Sequence, residues 1–412
     1  MIDARSYFVV GLVFYILASR LVMRLLRGGA REVAMTLLNL AGVYFAFYDF
    51  GQIRNLKLFG YYLIIVVLQY VALRLFSESK KGWLRWLAFF CPIIFLIVVR
   101  YVPDQVFISA GHIFGRNLLG LPPGITIGMS YLAFRCSRLV LEVQNGSVKK
   151  PGLWQYLSFA FFLPTMPVGP INTYANFRLG FAVVPWEVPV GRAALRILVG
   201  WVKYQFLGEL CNQLTYSGFL QNGHLHHWIH LPIAMGFYYL YLYCNFSGFC
   251  DMAIGAAALI GIPVSENFNN PFAARNMKEF WNRWHITLSV WMRDVVFSPL
   301  SKFLVRVMGV RLADHAIALA ILATFLLVGI WHGAGWNFVA FGAAQALGVM
   351  TVHYYTLLLK KRLGRDGFKS YNANVWIHAI AVSLTYCYFS MSLIFFACTF
   401  EQIKEIFRVL AP

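Results

Sequence analysis

The chain has 412 residues, of which 60% are hydrophobic and 12% charged, with a mean hydropathy of +0.64. A soluble domain carries about a quarter charged residues, so this composition excludes an ordinary soluble enzyme and reads as an all-α, polytopic integral membrane protein. The net charge of +19 would point to nucleic acid in a soluble chain, but here Lys and Arg sit mainly in short loops between apolar runs, as positive-inside anchors do. No compact basic and aromatic module is visible, so no nucleic-acid partner is expected. The surplus charge suits anionic membrane lipids or an acidic cytosolic protein. This length holds about ten or eleven spans of ~20 residues, expected as one embedded unit over residues 1–412.

The first span is expected from Tyr7 to Met23, as a retained span and not a cleaved signal. Arg20, Arg24, Arg27 and Arg31 follow and argue for the cytosolic side. A second span ends near Phe50. A third covers Leu58 to Phe76 and leads to Lys80, Lys81 and Arg85. A fourth ends near Val102. This alternation sets the N-terminus outside the cell. Pro103 to Gly124 is loop-like, with Gly111, Gly115, Gly120, Pro122 and Pro123. Gly124 to Gly146 is apolar but carries Arg135 and Arg138, which either face a cavity or partner or snorkel to the interface.

A span from Trp154 to Val168 stops at Gly169-Pro170. After a link with Pro185 and Pro189, Arg192 and Arg196 open another, to about Leu214. His224, His226, His227 and His230 cluster next. His227 and His230 could share a helix face, but no acidic or cysteine neighbour completes a metal site, so an interfacial loop is expected. Leu231 to Ile262 is too long for one perpendicular span. It contains Asn245, Ser247 and Asp251, which are costly at depth unless they line a cavity or bond another helix. Gly248 marks an expected bend or re-entry. None of the seven cysteines forms a C-x-x-C pair, so neither a zinc knuckle nor a disulfide framework is indicated.

Glu266 to Asp294 is the longest polar passage. Read as one helix, it places Trp281, Trp284, His285, Leu288 and Met292 on a single face, with charged residues opposite. Lys302, Arg306 and Arg311 follow. Ala313 to Trp331 is a span ending at Gly329-Ile-Trp-His-Gly-Ala-Gly-Trp336, which holds His332. Asn337 to Leu359 returns. Lys360, Lys361, Arg362, Arg365 and Lys369 form the strongest basic loop, expected in the cytosol. Trp376 to Phe396 is the last long span, and Glu401 to Pro412 a short tail.

His285 and His332 each follow a tryptophan, Trp284 and Trp331. A buried imidazole stays neutral and is a natural proton acceptor for an alcohol attacking an activated ester. A second imidazole can orient the first or hydrogen-bond the carbonyl as charge develops. The plain alternative is a pair of structural histidines bonding helix carbonyls. No Gly-x-Ser-x-Gly elbow is present, which disfavours a serine acyl-enzyme. A transporter or flippase with a histidine-lined path is the rival class, and it would show internal repeats that this chain lacks.

Phe280 to Asp294, FWNRWHITLSVWMRD, together with Trp331 to Phe338, WHGAGWNF, resembles the signature of the membrane-bound O-acyltransferases. The likeness is to the bacterial branch of DltB (teichoic acid D-alanyltransferase) and the alginate O-acetyltransferases. ENFNNPF, NFSGFCDMAIG, GPINTYANF and GMSYLAFRCSRLVLEVQNG extend it over a core of residues 124–348. GMSYLAFR leans toward the D-alanyl type and WHGAGWNF toward the alginate type. Asn245 stands where the family often has an acid and Cys250 where it often has Ser. Asn172 and Thr173 replace a charged Asp-Arg pair of the D-alanyl branch.

The resemblance implies helices around a central chamber, with His332 catalytic and His285 assisting. Asn282 and Arg293 become candidate donor contacts, and Trp281 and Trp331 candidate walls of the substrate site. Arg293 pairing with Asp294 or Glu279 as mere structure is the alternative. The resemblance also implies no bound cofactor or metal and a thioester donor, phosphopantetheine-linked or on CoA. The donor would arrive on a small acidic carrier protein at the cytosolic face. The acceptor would be a hydroxyl on an extracytoplasmic polymer or partner protein.

Overall fold

The computed structural model describes residues 4–47, 53–101, 128–182, 189–221 and 227–410. The loop expected at Pro103 to Gly124, and His224 and His226 of the histidine cluster, lie outside them. Among the described residues there are helices and turns but no β-strand. In lipid, a chain that is not a closed barrel must pair every N–H and C=O within its own segment, and only a helix does that. Among the described residues, four helices are long and apolar enough to cross a membrane: Phe59–Phe76, His230–Ile260, Val310–His332 and Val375–Ala397. Outward faces stay apolar, with Phe14, Leu17, Leu21, Leu68 and Leu384 all more than half exposed. That would be a liability in water and is the natural surface toward acyl chains.

Several expected boundaries move. Trp154 to Val168 is not one span: only Leu153–Ala160 is α-helical, followed by a single 3-10 turn, Leu163–Thr165. Eight residues rise only about 12 Å, and Pro164 and Pro167 remove the N–H groups needed to continue. Gly248 does not bend the chain, since His230–Ile260 is one 31-residue helix. That helix is roughly 46 Å long against a ~30 Å hydrocarbon core, a surplus met by tilt or projecting ends. The basic stretch after Leu359 is not a loop either. Within Trp336–Ala373 two helices meet at a kink at Gly364 (φ 64, ψ −170), and Lys360 to Lys369 lie on the helical turns either side of it.

By contacts the chain forms two compact units, residues 1–200 with 249–265, and residues 201–248 with 266–412. The first unit holds Ala4–Leu25, Gly28–Phe47, Ile53–Phe76, Gly82–Tyr101 and Met129–Gln144. Its polar residues act as internal ties. Tyr15 donates to Asn39 Oδ1 at 2.5 Å, and Asn39 Nδ2 donates to the Ser158 carbonyl at 3.1 Å. Arg135 is only 1% exposed, so it neither snorkels nor meets solvent. Its Nη1 donates to the Phe159 carbonyl at 2.9 Å, and its Nη2 reaches the Thr165 carbonyl at 2.6 Å and hydroxyl at 2.9 Å. It thereby ties helix Met129–Gln144 to the turn that interrupts the expected span. Arg138 pairs with Glu142 at 3.3 Å, and Asp251 with Arg196 at 2.9 Å.

The second unit is built on aromatic packing. Tyr239, Phe280, Trp284, Phe341 and Phe389 are all buried in one cluster. Phe280 and Phe389 have ring centroids 4.0 Å apart, and Phe280 stacks on Trp284 at 5.7 Å. Helices Ala313–His332 and Trp336–Ala373 cross at Gly329 and Gly342. A Cβ on Gly342 would collide with the Phe325 carbonyl, and one on Gly329 with the Phe338 carbonyl. Glycine here permits an approach that no other residue allows. Gln345 donates to Ser392 Oγ at 2.7 Å and Asn337 Nδ2 to the Phe395 carbonyl at 3.1 Å, fixing the last long helix and the short Ile394–Ala397 turn against this pair.

Candidate active site

The polar passage is not one helix. It divides into Met277–Trp281, a turn through Asn282 and Arg283, and Ile286–Met292. Asn276 caps the first piece, its side chain accepting the Glu279 N–H at 2.9 Å. Glu279 lies between Arg275, at 3.1 Å, and Arg283, at 2.8 Å. Burial opposes its charge, but the Arg275 N–H and the two guanidiniums outweigh it and hold the carboxyl below the usual range. Arg283 also donates to the Asn269 and Asn270 carbonyls, at 3.3 and 3.4 Å. The charged side of the passage is therefore a brace for the turn.

The turn presents His285. Its backbone is left-handed, φ 43 and ψ 52, and among the described residues only Asn270 shares a positive φ without being glycine. Such a conformation costs of order 1–3 kcal/mol and persists only where neighbours impose it. Here they do. The Asn269 N–H donates to the Arg283 carbonyl at 2.9 Å and the Ile286 N–H to the Asn267 carbonyl at 2.9 Å, so the chain before Pro271 runs beside the turn. Asn267, 1% exposed, accepts at Oδ1 from the Thr287 N–H at 3.2 Å and the Thr287 hydroxyl at 2.8 Å. His285 Nδ1 lies 3.1 Å from the same oxygen. The Phe246 ring meets the imidazole edge-on at 4.7 Å.

His332 ends helix Ala313–His332. Its ring packs on Trp331 at 4.5 Å, Phe396 at 4.9 Å and Phe341 at 5.9 Å. Gly333 follows, where a Cβ would run into the Phe338 ring. The two imidazoles share one neighbourhood. Burial first, and then the nearby His332, push His285 down to about 3, so it is neutral across the physiological range. His285 is 4% exposed, and its Nε2 is buried with no hydrogen-bond partner among the described residues.

The other sequence candidates fall in two groups. Trp331 packs against His332 with the rings tilted at 55°, and Trp281 packs on Phe325 at 5.2 Å with its indole N–H buried and unpartnered among the described residues. Asn282 is exposed and ends helix Met277–Trp281, while Arg293 is exposed and pairs with Asp294 at 3.0 Å. Sequence reasoning gave no role to Asn267, Thr287 or Phe246. The only available signal was the polar run ENFNNPF, because a side-chain bond across 18 or 20 positions leaves no periodic trace.

The fold defines a class, an all-helical integral membrane protein. Residues 40–394 match the profile of MBOAT, the membrane-bound O-acyltransferase family, and the chain belongs to that family. It is therefore an O-acyltransferase. It is 29% identical over 362 residues to the teichoic acid D-alanyltransferase of Streptococcus thermophilus, covering 84% of this chain and 83% of that protein. It is 25% identical over 354 residues to the teichoic acid D-alanyltransferase of Bacillus subtilis, covering 82% and 83%. A protein of Azotobacter vinelandii named "Probable alginate O-acetylase AlgI" is 29% identical over 221 residues, 53% of this chain and 42% of that protein.

Proposed function

We propose that this enzyme moves an activated acyl group, D-alanyl in the first instance, from a thioester presented at the cytosolic face to a hydroxyl of an extracytoplasmic envelope polymer. The reading is supported by one observation: two tryptophan-flanked imidazoles, from passages 47 positions apart (332 − 285), lie near enough that His332 bears electrostatically on His285. The similarity to D-alanyltransferases along four fifths of the chain supports the D-alanyl group. The WHGAGWNF motif and the shorter match to the alginate protein support an O-acetyl group as the second reading. In this proposal the chain sits in the plasma membrane with its N-terminus outside, and a small acidic carrier brings the thioester on a phosphopantetheine arm. Asn282 at the turn and Arg293 just after helix Ile286–Met292, both exposed, are where a phosphate-bearing arm would first meet the protein.

The chemistry needs a proton acceptor and a dry pocket. The acceptor oxygen attacks the thioester carbonyl, a C–O bond forms and the C–S bond breaks. His332, assisted by His285, takes the hydroxyl proton and returns it to the departing thiolate, releasing a thiol. Trp281 and Trp331 exclude water, which would hydrolyse the thioester. Mass analysis of envelope polymers with and without the protein tests this. The expected result is loss of D-alanyl or acetyl esters in its absence. Unchanged esters would overturn it.

A further inference from the structure

Asn267 Oδ1 stands at the centre of three contacts. Two of its partners, the Thr287 N–H and the Thr287 hydroxyl, are 3.2 and 2.8 Å away. A backbone N–H can only donate, so the Asn267 atom facing it must be the oxygen and not the amide nitrogen, which settles the orientation of the Asn267 side chain. The third contact is His285 Nδ1 at 3.1 Å. An amide oxygen only accepts, so Nδ1 must carry the hydrogen. In a neutral imidazole the other nitrogen then holds a lone pair and no hydrogen. That nitrogen, Nε2, is the buried atom without a partner among the described residues.

We infer that Asn267 sets the tautomer of His285 and so makes it a hydrogen-bond and proton acceptor in the transfer, not a donor to the carbonyl oxyanion. The inference rests on the acyl-transfer reading above and gives its assisting histidine a direction. What enters beside Nε2 must bring an O–H or N–H: the acceptor hydroxyl fits, as does a ring N–H of His332, whereas a negatively charged carbonyl oxygen would meet a lone pair. The left-handed backbone at His285 has a purpose in this scheme. It turns the ring back on Asn267 while helix Ile286–Met292 starts with Thr287 bonded to the same amide. The titratable group that bears on His285 is His332; Asn267, Thr287 and Phe246 carry no charge. Asn267 is a positioning residue, because it acts through the imidazole.

Asn267→Asp is the decisive variant. It keeps the shape and both Thr287 bonds but places a carboxylate on Nδ1–H, which favours the imidazolium. The intact chain in lipid nanodiscs is assayed between pH 5 and 8 with acetyl-CoA and with a D-alanyl phosphopantetheine thioester as donors. The expected result is a new acid limb in the Asp variant, with transfer falling roughly tenfold per pH unit below the raised imidazole pKa. If His285 were an oxyanion donor, the charged ring would speed transfer toward low pH, and that outcome overturns the inference. A second measurement needs no substrate. The 15N spectrum of histidine-labelled wild type, with His285 assigned against His285→Phe, should show Nδ1 protonated and Nε2 bare from pH 5 to 8. A hydrogen on Nε2 there overturns the inference. A wild type that transfers neither acyl group defeats the functional reading alone, and the spectrum then decides the tautomer by itself.

Discussion

Arg135 and His285 are both nearly inaccessible polar side chains in a greasy protein, 1% and 4% exposed, yet they are treated in opposite ways. Arg135, in the first unit, spends both terminal nitrogens on the Phe159 and Thr165 oxygens; only its Nε finds no partner among the described residues. Both of its terminal nitrogens are met by the protein itself. His285, in the second unit, is gripped on one nitrogen by Asn267 and left open on the other. A buried polar atom without a partner costs about 1–3 kcal/mol, and His285 adds a left-handed backbone to that cost. A group whose polar ends are met holds a structure together. One kept half-satisfied, at an energetic loss, is placed for something that arrives later.

Substitutions should separate the two regions. The largest effect on chemistry is expected at the second imidazole: His332→Ala should cut acyl transfer by about 10²–10⁴-fold while leaving expression and the thermal midpoint unchanged. Arg135→Met should do the reverse. It strands the Phe159 and Thr165 carbonyls and should cost about 3 kcal/mol, read as a lower unfolding midpoint in detergent and a lower yield. Transfer per folded molecule should stay near wild type. Gly342→Val drives a side chain into the Phe325 carbonyl and should cost about 1–3 kcal/mol, with some loss of activity because helix Ala313–His332 carries the second imidazole.

Glu279→Gln should have the smallest effect. Its partners are partly solvent-exposed, Arg275 43% and Arg283 29%, so screening limits the loss to about 1 kcal/mol. The sign with pH follows from its depressed carboxyl. The stabilisation is present above the ordinary carboxylate range and is lost as pH falls below it, so the wild type and Glu279→Gln should converge in stability on acidification. A difference that grows toward acid would contradict the assignment.

The comparison also explains what could be read from the residues alone. Apolar runs of about twenty residues located the long helices, because membrane burial writes itself into composition. The paired Trp-His motifs pointed to both imidazoles. The periodicity at Trp281, Trp284, His285 and Leu288 fitted one helix only because two short helices either side of a left-handed residue reproduce the same spacing locally. What breaks the helix is Asn267, whose bonds to the turn are long-range and aperiodic. Gly248 read as a bend, but an interior glycine costs a helix only about 1 kcal/mol, which a 31-residue helix absorbs. Arg135 left a choice between cavity and interface because its carbonyl partners lie in a turn that the apolar run Trp154 to Val168 concealed.

The central claim is that His285 and His332 act as one unit on an acyl group. The direct measurement is acyl transfer from a labelled thioester by wild type, His285→Ala, His332→Ala and the double variant, each reconstituted and shown to be folded. Acting together, both single changes should be strongly impaired and the double no worse than the weaker single. Normal transfer by His332→Ala, or losses that simply multiply in the double variant, would contradict the account.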